Sequence, residues 1–356
     1  MSFIRKVVTE NAQFHVDQKE IVGVVRDLFG GEYQDIERLL KVFGNGQIEG
    51  RYFAAPLEWF KKERGLEEKN HRYIEESLRM GSNAVRRCLE ESGVDKDEVD
   101  AFIFVSSSGM STPTIDARIM NELRLPAHIK RIPLWGLGCA GGAAGLSRAH
   151  DYCKAYPDAK VLVLCIELCS LTFQRSDASK SNLIGTSLFA DGAACALVTG
   201  ANDSSQGSGF FIQDTQSTLM PDSEDVMGWD VKDEGLHVIF SRDIPKIIES
   251  WLKPNVDLFL KKVGRSSEDI KHFVAHPGGK KVLQAYEKAL SLSTEKTDIS
   301  RNILAQHGNM SSPTVLYVLK EFIEQQPLAG EEGLLTALGP GFSSEMLWLQ
   351  WEEAGQ

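Results

Sequence analysis

Residues 131–148, RIPLWGLGCAGGAAGLSR, decide how the rest of the chain is read. An apolar run ends in Gly-Leu-Gly, one cysteine follows, and a small-residue segment opens what reads as a helix. Strand, glycine turn and helix in succession are the unit of an α/β layered fold. A thiol at that turn sits near unpaired backbone N–H groups and the positive end of the helix dipole, which favours thiolate. The flanking glycines are read as letting a substrate carbonyl approach the backbone. The alternative is that Ala140, Gly141, Gly142, Ala143 and Ala144 are small only to allow tight helix packing.

Outward from this stretch, strand-like and helix-like runs alternate. The short apolar segments 100–106, 131–137, 160–168 and 193–199 predict buried strands. Between them, 70–92, 114–123, 140–155 and 181–189 have helical spacing or composition, and Ser92-Gly93 is a helix stop. Residues 200–209, GANDSSQGSG, predict a loop between halves. Beyond it, 244–263, 278–290 and 314–325 predict helices, and 270–275, 333–338 and 345–351 predict strands. The expectation is an α/β protein in two similar halves. Residues 1–205 carry the cysteine and 206–356 carry the second set of polar site residues, as an old duplication would leave them.

The chain has 356 residues, 42% of them hydrophobic, enough for a large core. No run of about 18 apolar residues predicts a membrane span, and the start, MSFIRKVVTENAQFHVDQ, lacks the pattern of a secretory signal. A cytoplasmic protein with no stable membrane insertion is expected. The six cysteines form no CxxC pair and no zinc-like spacing. A net charge of −11 argues against nucleic acid as a partner, while a local Lys/Arg cluster can still hold an anionic small molecule.

Two later turns share the grammar of the cysteine turn. His276 ends a strand-like run in FVAHPGG, and Asn309 lies in HGNMSSPT just before a helix. His276 could be only a surface-loop histidine, Asn309 only an N-cap, and His307 competes for its place. Taken together, a thiolate–imidazolium pair supplies a nucleophile at neutral pH. A histidine with an asparagine amide forms an oxyanion hole for an enolate. That set suits acyl transfer from a thioester followed by decarboxylative carbon–carbon bond formation.

GCAGG around Cys139, LFADGAA at 188–194, AHPGG around His276, HGNMSS around Asn309 and LGPGFSSE at 338–345 occur in that order. Over nearly the whole chain this resembles the type III polyketide synthases, the chalcone synthase superfamily, and most of all bacterial alkylpyrone synthases. The resemblance implies a thiolase-like five-layered αβαβα sandwich and a homodimer. It implies acyl-CoA and malonyl-CoA as substrates and no metal or organic cofactor. By it, Cys139 carries the growing chain, His276 keeps Cys139 as thiolate, and His276 with Asn309 polarises the malonyl thioester. Phe189 matches an aromatic gatekeeper between CoA tunnel and cavity, and Gly185, Ser311, Thr172 and Ser107 match cavity-lining positions.

Three departures from plant members bear on the substrate. Val238 stands where those have a second gatekeeper Phe, Thr112 replaces a Met that crosses the dimer interface, and Cys169 matches a cysteine lining a long acyl tunnel. Ser108, Thr112 and Cys169 are therefore expected to flank such a tunnel, although each is also an ordinary core or loop residue type. For CoA, Lys41 is the candidate phosphate ligand, with Gly278 and Lys281 at the HPGG loop and Lys280 and Arg51 nearby. The resulting expectation is a medium- or long-chain fatty acyl-CoA starter extended to tri- or tetraketide alkylpyrones, with alkylresorcinols as a variant. The competing readings are a ketoacyl-carrier-protein synthase of the third kind, a non-catalytic acyl-CoA-binding homologue and a cysteine hydrolase.

Overall fold

The computed structural model describes residues 2–33, 35–203 and 207–353. The strands in chain order are β1 (Ser2–Asn11), β2 (Phe14–Asp17), β3 (Gly50–Phe53), β4 (Ala101–Val105), β5 (Lys130–Leu134), β6 (Lys160–Leu168) and β7 (Asp191–Gly200). They continue with β8 (Gly209–Leu219), β9 (Met227–Lys232), β10 (Gly235–Phe240), β11 (His272–Ala275), β12 (Glu332–Gly339) and β13 (Ser343–Glu352). Nine of them form one mixed sheet in the order β11-β12-β13-β8-β1-β7-β6-β4-β5, while β2/β3 and β9/β10 are separate hairpin-like pairs.

The sheet repeats itself. In β4-β6-β7-β1 the successive pairings are parallel, antiparallel and antiparallel, and β11-β12-β13-β8 runs through the same series. Within the sheet the halves join where Ser2–Ile4 of β1 meets residues 210–212 of β8. The boundary expected between 205 and 206 lies outside the described residues.

Strand alternation shows how five layers arise. Phe102 and Phe104 of β4 join one apolar cluster with the long helix Leu66–Ser92, whereas Ala101, Ile103 and Val105 face another. In β13, Met346 and Trp348 join a third cluster with the helices of residues 244–262 and 280–290, whereas Leu347 and Leu349 face the second. That second cluster contains strand residues of both halves together with Ala143 and Leu146 of helix Gly141–Ala155 and Val315 and Leu319 of helix Thr314–Glu324. Helices, half-sheet, two central helices, half-sheet and helices thus stack as αβαβα, which is the period-two burial of strands covered on both faces. No helix among the described residues is long and apolar enough to cross a membrane.

The central helices are close-packed by design of their small residues. A Cβ added at Gly142 would stand 2.3 Å from the Ser312 carbonyl oxygen, at Gly141 2.6 Å from Val105 Cγ1, and at Gly145 2.7 Å from Val163 Cγ1. Cys139 and Asn309 both stand just ahead of a central helix, and the sheet repeat therefore brings the two turns together.

Candidate active site

Residues after β5 turn at Gly136 (φ 90°) and Gly138 (φ 45°), a region open to glycine, and enter the short 3₁₀ turn Gly138–Ala140 that presents Cys139. A hydroxyl holds this loop: Ser107 Oγ accepts from the Gly136 and Gly138 amides at 3.2 and 3.1 Å. From the other side Pro340 covers the loop, and a Cβ on Gly138 would lie 2.7 Å from its Cδ. Gly141 and Gly142 are packed against protein, as the packing alternative has it, whereas Gly138 faces a cavity that Cys139 also lines.

Asn309 is 1% exposed and stands beside the thiol, with Oδ1 3.9 Å from Cys139 Sγ. Its amide orientation follows from its partners: Ser311 N–H donates to Oδ1 at 2.8 Å, and Nδ2 donates to the Gly278 carbonyl at 3.1 Å. One Nδ2 hydrogen is left for a ligand. The backbone fixes Phe189 alongside: Asn309 N–H donates to Leu188 O, and Ala190 N–H to Asn309 O, as an isolated parallel bridge. His276 follows β11 and is 2% exposed. A Cβ on Gly278 would stand 3.7 Å from its Nε2, which places the ring beside the Asn309 anchor. Neither ring nitrogen has a hydrogen-bond partner among the described residues. An unpaired buried imidazole is costly, and such orphans mark sites whose partner is a ligand.

Burial pushes the Cys139 thiol up to about 11, against hydrogen bonds from Ser311 and Asn309, and the charge of Glu167 adds to the rise. Burial alone pushes His276 down to about 3. Desolvation thus works against the expected thiolate–imidazolium pair, while the Ser311 and Asn309 hydrogen bonds work for the thiolate.

Glu167 was not foreseen. It is wholly buried on β6, accepts from Ser107 N at 2.9 Å and from Ser312 Oγ at 3.0 Å, and burial raises it to about 7. The signal was available, because a glutamate inside the apolar run KVLVLCIEL is rarely buried without a task.

Two chambers meet at Phe189 and Val238. The inner one, about 350 Å³, is lined by Cys139, Ser311, Pro340 and, from β9 and β10, Trp229 and Phe240. Phe189 and Trp229 have ring centroids 5.7 Å apart. The outer one, about 550 Å³, is lined by Cys169, Thr172, Gly185 and the apolar side chains of Ile21, Val25, Phe53, Leu57, Phe60 and Phe173. A Cβ on Gly185 would come within 3.2 Å of the Phe189 ring and 3.3 Å of Val238 Cγ1, so Gly185 keeps the passage open.

Other expected residues fall elsewhere. Ser107 holds the cysteine loop through its hydroxyl, and Ser108 Oγ accepts from Leu168 N–H at 2.8 Å and faces a different, smaller cleft with Lys69 and Gly235. Thr112 is exposed and lines neither chamber of its own chain. His307 packs between Tyr52 and Tyr317, at 5.7 and 5.0 Å.

Near the expected CoA end, Leu188 lies 3.9 Å from a Cβ on Gly46 and 3.8 Å from one on Gly279. Helix Ile36–Asn45, with exposed Lys41, and the HPGG loop, with Gly278 and exposed Lys281, thus flank the same residue. Arg51 is 0% exposed and is no surface phosphate ligand. It donates to the carbonyls of Thr186 and Phe189 at 2.8 and 2.6 Å and to Gln18 Oε1 at 2.8 Å, anchoring the backbone that carries Phe189.

Comparison with known proteins bears on this geometry. Residues 58–203 match the chalcone and stilbene synthases, N-terminal domain, and residues 212–351 match their C-terminal domain. A Bacillus subtilis (strain 168) protein provisionally named a chalcone synthase is 52% identical, over 99% of this chain and 100% of its own. The 1,3,6,8-tetrahydroxynaphthalene synthase of Streptomyces peucetius subsp. caesius is 34% identical over 94% of this chain and 89% of its own. In structure, the 1,3,6,8-tetrahydroxynaphthalene synthase of Streptomyces coelicolor A3(2), a bacterial type III polyketide synthase, superposes with a TM-score of 0.94. That match has 28% identity and covers 99% of this chain and 100% of that one.

Proposed function

The chain belongs to the chalcone and stilbene synthase family of type III polyketide synthases, and from that premise we propose that it extends medium- or long-chain fatty acyl-CoA starters with malonyl-CoA to alkylpyrones. One observation supports the choice of starter: a chamber lined chiefly by apolar side chains opens beside the Cys139 chamber past Phe189 and Val238. An acyl chain seated there gains about 0.8 kcal/mol per buried methylene.

In this reading Lys41 and Lys281 hold the CoA phosphates and the acyl thioester reaches Cys139 beside Phe189. Cys139 Sγ passes its proton to His276 as it attacks the thioester carbon. The tetrahedral intermediate collapses, CoA leaves as the thiol with that proton, and the acyl group stays on sulfur. Malonyl-CoA then binds with its thioester carbonyl oxygen between the free Asn309 Nδ2 hydrogen and His276. Loss of carbon dioxide leaves an enolate held by those donors. The enolate carbon attacks the acyl–Cys139 carbonyl and expels the thiolate, giving a β-ketoacyl-CoA that reloads. After two extensions the enol oxygen of the distal ketone attacks the CoA thioester carbonyl, closing a pyrone and releasing CoA. No cofactor enters any step. The exposed surface of Met110, Thr112 and Trp135 is where a second copy is proposed to dock as a homodimer.

The test is a mass-spectrometric product profile with malonyl-CoA and saturated acyl-CoA starters from acetyl to eicosanoyl. Triketide and tetraketide pyrones from long starters are expected, and none from Cys139→Ala. Val238→Phe, which narrows the passage between the chambers, is expected to lose the longest starters by about tenfold or more in kcat/KM while short ones persist. Products from short or aromatic starters alone would refute the fatty acyl reading and leave the Cys-His-Asn chemistry standing.

A further inference from the structure

The outer chamber ends at a wall with a different kind of space behind it. Phe60 and Phe173 line the apolar chamber and also a second cleft, of about 620 Å³, whose other walls are Lys62, Glu63, Arg64, Lys69, Arg175 and Glu234. The wall is made of aromatic rings in edge contact. Phe60 and Phe173 have centroids 6.4 Å apart at 71°, Phe53 and Phe60 5.6 Å at 63°, and Phe29 and Phe173 6.2 Å at 82°. Such contacts hold ring positions more tightly than area burial alone. The backbone behind them is also fixed. Buried Lys69 donates through Nζ to Phe173 O at 3.1 Å, Gln174 Oε1 at 2.7 Å and Glu234 O at 3.1 Å, tying the Phe173 segment to the turn between β9 and β10.

We propose that Phe60 and Phe173 form the stop that sets the longest acyl chain this enzyme accepts. The proposal rests on the reading of the outer chamber as an acyl site. Its physical content is steric closure at the rings. On the near side, Ile21, Val25 and Leu57 offer apolar contact to each methylene. At the far end the edge contact of Phe60 and Phe173 closes the chamber. The limit is therefore steric at the two rings. Each methylene that cannot be seated forfeits about fourfold in binding, the equivalent of about 0.8 kcal/mol.

The experiment measures kcat/KM along the saturated acyl-CoA series for the full-length protein and for Phe173→Ala, Phe173→Leu, Phe60→Leu and Val238→Phe. Active sites are counted by iodoacetamide titration of Cys139, so that a partly folded variant is still scored. Truncating either ring is expected to move the chain-length limit several methylenes upward. Starters just beyond the wild-type limit should gain about tenfold or more relative to short starters in the same variant. An unchanged limit in both Phe173→Leu and Phe60→Leu, with Val238→Phe still shortening the range, overturns the stop and leaves the acyl chamber in place. A profile insensitive to all the variants overturns the chamber and the stop together.

Discussion

At Cys139 the environment works against the charge the chemistry needs. The thiol is buried, and the charge of Glu167 raises it further. Ser311 and Asn309 oppose that rise, and His276 supplies a base that has no other partner. Glu167 thus has a testable electrostatic role. Its folded pKa of about 7 means that it gains charge as pH rises through neutrality, at the cost of the Cys139 thiolate. Glu167→Gln keeps an acceptor for the Ser107 N–H, lets its amide donate to Ser312 Oγ, and removes that charge. Alkylation of Cys139 by iodoacetamide at pH 8 is expected to accelerate, by up to about tenfold for one unit of pKa. At pH 5.5, where Glu167 is protonated in the wild type, the two proteins should react alike. Equal rates at both pH values would show that Glu167 does not govern the thiol.

At the scale of elements, what was legible in the sequence follows from how many faces each segment buries. Strands buried on both faces, such as KVLVLCIEL at Lys160–Leu168, fall where the apolar run predicts. The expected strand at 131–137 ends instead at Leu134, because Gly136 turns the chain. β1 was not foreseen: its register shifts between Ile4 and Lys6, and that bulge breaks the alternation a reader would seek. β9, MGWDVK, was missed because it makes no apolar run, and β10, GLHVIF, because its apolar run is short and follows the charged turn 232–234, although the pair brings Trp229, Val238 and Phe240 to the inner chamber. Helix Asp298–His307 also went unseen, with only Ser300, Ile303 and Leu304 buried. Of the site, the three turns bearing Cys139, His276 and Asn309 could be read from glycine-rich strand ends, whereas Ser107, Ser108 and Thr112 could not be placed without the tertiary path. The small residues of helix Gly141–Ala155 have a measurable consequence. Gly142→Ala puts a Cβ against the Ser312 carbonyl, so either this helix or the Ser312 turn must shift. A loss of about 1–3 kcal/mol in urea unfolding is expected. A fall in kcat should accompany it, since Asn309 and Ser311 share that turn. Wild-type stability in the variant would mean that the two central helices are not in the contact described.

At the scale of the molecule, the duplicated sheet buries its active site between two layers, and that burial sets the response of stability to pH. Five thiols, Cys139, Cys153, Cys165, Cys169 and Cys195, are each pushed up, chiefly by burial. A group whose folded pKa is raised keeps its proton in the folded state while the unfolded chain loses it, so stability falls as pH rises. From about pH 9, where unfolded thiols titrate, the five together remove up to about 7 kcal/mol per pH unit. The buried Tyr73, Tyr286 and Tyr317 hydroxyls, also raised by burial, add to this above about pH 10. On the acid side the sign is opposite for the buried histidines. His276 is lowered to about 3 and His150 and His307 to about 4, so the unfolded chain takes up protons first and stability falls as pH drops below 6.5. Glu167 and Asp191, both raised to about 7, offset two of those three protons until the unfolded carboxylates protonate. The acid limb should therefore stay gentle, near one proton, because His150 and His307 titrate in the folded state close to where the unfolded carboxylates protonate, whereas the alkaline limb is steep from its start. Urea unfolding in reductant at half-unit steps from pH 4 to 10.5 measures both slopes. A midpoint that holds from pH 9 to 10.5 would show that the thiols titrate alike folded and unfolded, and that water reaches the layer between the half-sheets.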